Sequence, residues 1–362
     1  MDLRGASGTG GDVEKLNIGG RTVGPGHPPY IIAEIGANHN GDMDLCRRLI
    51  DAAKAACADA VKFQSWSKHS ITGTAELARN TSYSDKKRHF GSLEEMIEKY
   101  LFTPEQHHEI AGYCRGLGIT FCSSCFATEE VDLLVDVGAP VLKVASMDVN
   151  YLPLLEYVAH TGLPVILSTG MSTLGEIESA LAMLRDNGSG PVALMHCISI
   201  YPPEYNTINL HNIETLQTAF DVPVGFSDHS LGTAIPLAAI ALGACIIEKH
   251  FTLDKTMDGW DHAISADPAE LEVIAREGHN IFEALGTTVR TVSPAEIEKA
   301  KKFRRSVVVN RALQSGHTLS ISDLGFKRPG TGIRPDEARY VAGRRLKRAV
   351  QPDHELAWTD LD

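Results

Sequence analysis

The sequence contains eight short apolar runs rich in valine and isoleucine, and each is followed by a polar turn and a stretch with helical spacing. This alternation is typical of a parallel sheet in which helices connect successive strands. Eight such units predict a closed (β/α)8 barrel, the TIM barrel, rather than an open sheet, which commonly has fewer strands and a reversal of strand order. The predicted strands lie at residues 30–36, 59–65, 119–125, 140–146, 164–170, 191–197, 223–229 and 245–251.

The chain has 362 residues, more than the roughly 250 of a typical barrel, so its length predicts a second, smaller domain. The strand and helix alternation has stopped by residue 304, where short strands and turns begin. No repeat of roughly 20 to 50 residues is expected beyond the barrel units. The predicted organisation is a flexible N-terminal tail at 1–16, a catalytic barrel at 17–286, a linker with one short helix at 287–303 and a small β-rich domain at 304–362.

Local signals place some of the helices and one long connection. Thr103 followed by Pro104 is typical of a helix start, and a second helix is predicted within 172–188, beginning at Ser172. The connection from 65 to 103 is far longer than is usual between a strand and a helix of a barrel. We therefore expect this segment to cover the mouth of the barrel.

The composition argues against several classes of protein. A formal net charge of −12 disfavours a nucleic-acid surface, which would be basic overall. The sequence has neither an apolar signal segment nor an uninterrupted apolar stretch of about 18 residues, so neither secretion nor membrane spanning is expected. The seven cysteines are odd in number and include no two CxxC motifs, so they indicate neither a disulfide framework nor a zinc ribbon. We therefore expect a cytoplasmic protein.

Polar side chains close the apolar runs, at the barrel end where TIM-barrel active sites lie. Lys62 and Gln64 are two residues apart and share a face, which we assign to the lumen because a charge is costly beneath the helices. Lys143 lies in the fourth run. Either lysine alone is equally well explained as a strand-end residue, but two lysines with several hydroxyls predict a site for a phosphate and a carboxylate. The hydroxyl candidates are Ser124, Ser146, Ser168, Ser199 and Ser227.

Two histidines and one glutamate stand out at strand ends. His229 and His250 become neighbours if the barrel closes in sequence order, and two imidazoles can hold a divalent ion while leaving positions for water and substrate. A hydrogen-bonded structural role is the alternative for either histidine alone. Burial should raise the pKa of Glu34 toward a value useful in general acid or base catalysis. A salt bridge to Lys62 is the alternative for Glu34.

These residues, in this order, resemble the sialic acid synthase family, whose barrel is followed by an antifreeze-like domain, the SAF domain. The resemblance extends from about residue 17 to the C-terminus. It implies condensation of phosphoenolpyruvate with an N-acetylated amino-sugar aldehyde, such as N-acetylmannosamine, to a nine-carbon nonulosonic acid with release of phosphate. The matching segments are IIAEIGANHNGDM, DAVKFQS, KVAS, ILSTGMS, HCISIYP, GFSDHSLGT, IEKHFT and FKRPGTGI.

The resemblance also implies roles for individual residues. His229 and His250 would hold manganese, with magnesium or cobalt as alternatives. Arg328 would reach the N-acyl group of the sugar from the terminal domain of a partner chain, which implies a domain-swapped homodimer. Glu34, Lys62 and Lys143 are the catalytic candidates. Phosphoenolpyruvate would be bound by Lys62, Ser124, Lys143, Ser146, Ser168 and Ser227. The sugar would be faced by Glu34, Tyr201 and Asp261, and the further substrate-binding candidates are Gln64, Asp148 and Ser199.

Three departures from the family pattern concern the substrate. Met147 stands where neuraminate-forming members have a glycine, and Ser199 stands where they have an asparagine. The aromatic residue expected before the SVV run is displaced to Phe303 or replaced by Lys302. The acceptor therefore stays open between N-acetylmannosamine, a precursor of legionaminic or pseudaminic acid, and a 6-phosphorylated sugar.

Two other functions are weighed against this one. A different phosphoenolpyruvate-dependent 3-deoxy-2-keto acid synthase, making a heptulosonate or an octulosonate, would share the lysines, but the SAF-like module argues against it. A catalytically silent barrel serving as a binding scaffold would not need the glutamate, the two lysines and the two histidines together. Phosphate release in the presence of a metal and amino sugars would discriminate between these functions.

Overall fold

The structure is a computed structural model that describes residues 13–81, 84–85, 88–89 and 92–362, without the side chains of the four residues at 84–85 and 88–89. The chain divides into two compact units, with the boundary between Gly286 and Thr287. None of the described helices is long and apolar enough to cross a membrane.

Eight parallel strands of the first unit close into a barrel. Each predicted run contains one of these strands, so the predicted TIM barrel is confirmed. The strands are numbered here by their order along the chain. The first to the eighth barrel strand are Tyr30–Glu34, Ala60–Ser65, Thr120–Cys125, Leu142–Val144, Val165–Ser168, Val192–Cys197, Val224–Asp228 and Ile246–His250.

The barrel closes in sequence order. The eighth strand pairs with the first, where His250 lies opposite Glu34. It also pairs with the seventh strand, where Ser227 lies opposite Glu248. The first strand pairs in turn with the second, which carries Lys62. The seventh, eighth, first and second strands, which bear most of the charged candidates, are therefore neighbours in this order.

The side chains of the barrel strands alternate between two cores, as the period of two along a strand requires. In the first strand, Ile31 and Ala33 pack in the outer core against the helices. Tyr30 and Ile32 pack in the inner core within the barrel. Glu34 continues the inner series, which places a carboxylate at the top of the lumen.

Helices cover the outside of the barrel. Thr103 caps its predicted helix in a capping box, as expected. The other predicted helix begins at Leu174 and its N-cap is Thr173 rather than Ser172, because the Thr173 side chain accepts a hydrogen bond from the Glu176 amide. The barrel unit contains the helices Met43–Ala55, Thr74–Arg79, Leu93–Tyr100, Pro104–Leu117, Thr128–Asp136, Leu152–His160, Leu174–Asp186, Asn212–Phe220, Ala234–Ala241 and Pro268–Leu285.

The N-terminal end of the described chain is a short antiparallel hairpin formed by Leu16–Ile18 and Arg21–Val23. Leu16, Ile18 and Val23 are buried in the inner core of the barrel. Residues 1–12 of the tail predicted at 1–16 lie outside the described residues. The last residue of the predicted tail, Leu16, belongs to the inner core.

The long segment at 65–103 contains the two helices Thr74–Arg79 and Leu93–Tyr100. Buried residues of the second of these helices pack with Ala37, and Trp66 and Trp260 pack against the same cluster. The described part of the segment therefore lies against loops that follow the first, second and eighth strands. Tyr83 and Phe90, which belong to the predicted cover of the mouth, lie outside the described residues.

The second unit begins with the helix Pro294–Phe303, which occupies most of the predicted linker. The carbonyl of Lys301 in this helix accepts a hydrogen bond from the Gly330 amide at 2.8 Å. The rest of the unit contains the antiparallel strands Ser306–Val309 and Leu324–Lys327 and the helix Ala338–Val341. Its apolar core is separate from those of the barrel.

The second unit contains an internal repeat that was not expected from the sequence. Residues 311–324 and 348–361 are identical at seven of fourteen positions. Leu313 and Val350, which are equivalent in the two copies, exchange backbone hydrogen bonds of 3.0 and 2.9 Å. Each copy also holds a buried aspartate between an arginine and a histidine. The two sets are Arg311, His317 and Asp323, and Arg348, His354 and Asp360.

Candidate active site

A cavity of about 400 Å³ opens at the C-terminal ends of the barrel strands. Thirteen of the fifteen residues predicted to act at the site line it, and Asp148 and Arg328 are the two that do not. The predicted residues that line the cavity are Glu34, Lys62, Gln64, Ser124, Lys143, Ser146, Ser168, Ser199, Tyr201, Ser227, His229, His250 and Asp261.

The two lysines are buried in the wall of the cavity. Lys62 Nζ lies 2.7 Å from Glu34 Oε2 and donates to Ser124 Oγ at 3.2 Å. Lys143 Nζ donates to Ser168 Oγ at 2.5 Å. Burial alone would lower the pKa of Lys62, but the carboxylates of Glu248 and Glu34 outweigh it and raise that pKa. The cavity therefore holds a lysine that stays protonated next to serine hydroxyls, as an anion site requires.

Two buried carboxylates share the ammonium group of Lys62. Burial raises the pKa of Glu34, although Lys62 opposes this effect and Gln64 Nε2 donates to Glu34 Oε1 at 2.7 Å. Burial would also raise the pKa of Glu248, but the charges of Lys62 and Lys143 lower it. Glu248 is therefore the ionised partner, and Glu34 is the carboxyl group able to gain or lose a proton at a higher pH. The ion pair between Glu34 and Lys62, predicted as an alternative role, is present.

His229 and His250 face each other at the mouth, with ring centroids 5.5 Å apart. His229 Nδ1 lies 2.8 Å from the Ile198 carbonyl, which can only accept, so Nδ1 carries the proton and Nε2 has a free electron pair. Burial lowers the pKa of His229 to about 4, helped by the nearby His250. A neutral imidazole oriented in this way suits a divalent metal ion.

The groups around the two histidines leave room for further ligands. Asp261 Oδ2 lies 3.7 Å from His250 Nδ1. Within the described ranges, no cluster of three or more His, Cys, Asp or Glu side chains has the geometry of a metal site. Two imidazoles alone cannot fill the coordination sphere of a divalent ion, so an ion held by His229 and His250 would take its other ligands from water or substrate. The ring of Tyr201 lies against that of His229, with centroids 4.0 Å apart.

Two predicted residues lie elsewhere. Asp148 is half-buried and does not line the cavity, and its Oδ2 atom has no hydrogen-bond partner in the part of the chain that the structure describes. Burial and the neighbouring Glu130 raise the pKa of Asp148 to about 6. Arg328 belongs to the second unit, where its guanidinium carbon lies 5.1 Å from the ring centroid of Phe303.

The structure adds residues that were not among the predicted site residues. Glu248 lies two residues before His250 and accepts a hydrogen bond from Ser227 Oγ at 3.1 Å. The period of two along the strand puts both side chains in the lumen, as expected from the sequence, but no role was predicted for Glu248. Apolar residues also line the cavity, and no single spacing rule connects them because they come from several strand ends and loops. These are Ala37, Trp66, Ile71, Phe126, Ala145, Met147, Met171, Cys197 and Trp260.

The fold and the cavity are those of a TIM-barrel enzyme, with two buried lysines and a pair of facing histidines in one cavity. Residues 49–290 match the model of the NeuB family, and residues 304–362 match that of the SAF domain. The chain therefore belongs to the NeuB family, and the resemblance to sialic acid synthases is confirmed.

Three similar proteins illustrate the range of the family. The N,N'-diacetyllegionaminic acid synthase of Legionella pneumophila is 36% identical, over 92% of this chain and 94% of its own. The N-acetylneuraminate-9-phosphate synthase of Mus musculus is 34% identical, over 92% and 93% of the two chains. A crystal structure of N-acetylneuraminic acid synthetase from Leptospira borgpetersenii is 35% identical, covers 79% of this chain and 95% of that chain, and has a TM-score of 0.72. These relatives confirm the predicted enzyme class, a sugar acid synthase.

Proposed function

We propose that this protein condenses phosphoenolpyruvate with the open-chain aldehyde of an N-acetylated amino hexose, giving a nine-carbon nonulosonic acid and inorganic phosphate. The observation that carries the proposal is one cavity that combines the buried lysines Lys62 and Lys143 with the facing pair His229 and His250. A family whose members are named for sialic-type acids supports the same reaction.

The lysines and serines would bind phosphoenolpyruvate. Lys62 and Lys143, which are both buried, would offset the charge of the phosphate and carboxylate groups. Ser124 and Ser168 already receive hydrogen bonds from these lysines, so their hydroxyl protons are available to phosphate oxygens. In this position C3 of the enol can form a bond to the aldehyde carbon.

His229 and His250 would hold a divalent ion, manganese first, with magnesium or cobalt as alternatives, which when bound polarises the aldehyde oxygen as a Lewis acid. Tyr201 and Asp261 lie beside the histidines and would orient the sugar. Water then adds to C2 of the former enol, and phosphate leaves to give the 2-keto acid. Glu34 would accept the proton of this water, because its raised pKa makes it the more basic of the two carboxylates.

The proposal is tested by assaying inorganic phosphate with the full chain, a manganese salt, phosphoenolpyruvate and a panel of amino sugars. We expect phosphate release only when both substrates are present, and loss of this release after chelation. Equal release without any sugar would point to a phosphatase and contradict the proposal. No release with N-acetylmannosamine, its 6-phosphate or a diacetamido hexose would contradict it as well.

We also propose that the active enzyme is a domain-swapped homodimer in which Arg328 of one chain binds the N-acyl group at the site of the other. Arg328→Ala should raise the KM for the sugar about tenfold or more, since a charged hydrogen bond is lost, and leave the KM for phosphoenolpyruvate unchanged. A matched control is Arg339→Ala, in the same unit.

A mixing experiment tests the exchange between chains. The Arg328→Ala and His250→Ala variants are denatured together and refolded, or co-expressed. At a sugar concentration well below the KM, where the Arg328→Ala variant alone has little activity, about a quarter of wild-type activity should return if Arg328 acts across the dimer, because half of the dimers are hybrids and each hybrid has one intact site. No recovery, with hybrids demonstrated by differently tagged chains, would contradict the exchange.

A further inference from the structure

Three aromatic side chains form one wall of the cavity, called here the aromatic wall and defined as Trp66, Phe126 and Trp260. The ring centroid of Trp66 lies 6.2 Å from that of Phe126 and 6.5 Å from that of Trp260. Trp66 and Phe126 directly follow the second and third strands, beyond Lys62 and Ser124 on the same strands. The wall therefore lies nearer the mouth than the anion site and would meet the part of the acceptor remote from phosphoenolpyruvate.

A buried carboxylate fixes the backbone of this wall. Glu130 is 6% exposed, and its Oε1 accepts a hydrogen bond from the Ser67 amide at 2.8 Å. Its Oε2 accepts from the amides of Phe126 and Ala127 at 2.8 and 3.0 Å. Glu130 thus connects the segment that carries Trp66 to the segment that carries Phe126. A wall held in this way is pre-organised for a ligand rather than adaptable.

One polar atom of the wall is unsatisfied. Trp66 Nε1 is buried and has no hydrogen-bond partner within the described residues. A buried donor without a partner is destabilising, so a bound group that accepts from it would gain affinity. Apart from the two indole N–H groups, the three rings offer apolar surface and no oxygen atom that could accept a hydrogen bond.

An acetamido group complements this combination. Its methyl group can pack on aromatic faces, and its carbonyl oxygen can accept from an indole N–H. A hydroxyl group could accept from the same N–H, but its own proton would lie against the rings without an acceptor. A phosphate group would place its charge on an apolar surface, which is costly.

We propose that the aromatic wall is a specificity site for a second acetamido group, on the half of the acceptor remote from its aldehyde. The proposal rests on the function proposed above, in which Arg328 takes the acyl group at C2. It makes a 2,4-diacetamido hexose the preferred acceptor, rather than N-acetylmannosamine or its 6-phosphate. Trp66 is the specificity-determining residue, and Glu130 is a positioning residue.

The test compares two acceptors that differ only at C4, namely 2,4-diacetamido-2,4-dideoxymannose and N-acetylmannosamine. We expect the wild-type enzyme to favour the diacetamido sugar in kcat/KM by about tenfold or more, as for a site built to hydrogen-bond its substrate. Trp66→Phe keeps an aromatic ring and removes the N–H, so it should reduce this preference about tenfold. The KM for phosphoenolpyruvate should not change. Trp358→Phe, at an exposed tryptophan of the second unit, is the control.

A second pair of variants tests the positioning role. Glu130→Gln puts an amide N–H against backbone donors, so we expect it to lower the same preference, whereas Glu129→Gln, at the exposed neighbouring residue, should not. Turnover of both acceptors with equal kcat/KM in the wild-type enzyme would overturn the inference and leave the proposed reaction standing. Equal losses for both acceptors in Trp66→Phe would also overturn it. No turnover of either acceptor would contradict the proposed function itself.

Discussion

Replacing His250 with alanine should lower kcat/KM by about a thousandfold or more, because Lewis-acid stabilisation of the reacting oxygen contributes several kcal/mol. His250 and His229 are the two imidazoles of the candidate metal site, and one imidazole alone would hold a divalent ion only weakly. The variant should therefore also lose bound metal, measured by elemental analysis of the purified protein. Phosphate release with both substrates gives the rate.

The control for this variant is His211→Ala, at an exposed histidine on the outer surface of the barrel unit. It should keep both the metal content and the rate of the wild-type enzyme. If His250→Ala remains fully active, and the wild-type enzyme also remains active after chelation, the two histidines have a structural role and the metal proposal is wrong.

Glu34→Gln should lower kcat by about a hundredfold to ten-thousandfold, the usual contribution of a general acid or base. The change keeps the shape of the side chain and removes only its charge and basicity. The KM for phosphoenolpyruvate should change little. Because burial raises the pKa of Glu34, the ionised form is lost as the pH falls through a value above the ordinary glutamate range of about 4.3. We therefore expect the acidic limb of the wild-type pH–kcat profile to disappear in the variant.

The alternative role of Glu34, as an ion-pair partner of Lys62 only, predicts different changes in KM and kcat. If its only role is the ion pair with Lys62, Glu34→Gln should raise or lower the KM for phosphoenolpyruvate while kcat and its acidic limb stay as in the wild-type enzyme. Glu178→Gln, at an exposed glutamate of the helix Leu174–Asp186, controls for the loss of one carboxylate.

The barrel could be predicted because each strand is a short apolar run that can be recognised by itself. The period of two along a strand then separates the side chains that point into the lumen from those that face the helices. Lys62, Gln64 and Glu34 could be placed in the lumen for this reason. The same rule places Glu248 there with His250, but its identity as the ionised partner of Lys62 depends on the closure of the barrel, which brings the eighth strand next to the first.

Other features depend on contacts that no local pattern records. Trp66, Phe126 and Trp260 come from three loops, so only the folded chain shows that they form one wall. The burial of Leu16 was missed because a three-residue strand carries too little signal against a polar, glycine-rich neighbourhood. The repeat in the second unit was missed because half of its positions differ, although its buried aspartates and their partners are retained.

The most direct test of the account is the mass of the product formed from phosphoenolpyruvate and a diacetamido or monoacetamido hexose by the full chain with manganese. The proposed reaction predicts a keto acid that contains every carbon of the sugar and three carbons of phosphoenolpyruvate, with one inorganic phosphate released for each molecule formed. Free pyruvate together with unchanged sugar, or phosphate without a product of this mass, would show that the cavity does not form the carbon–carbon bond.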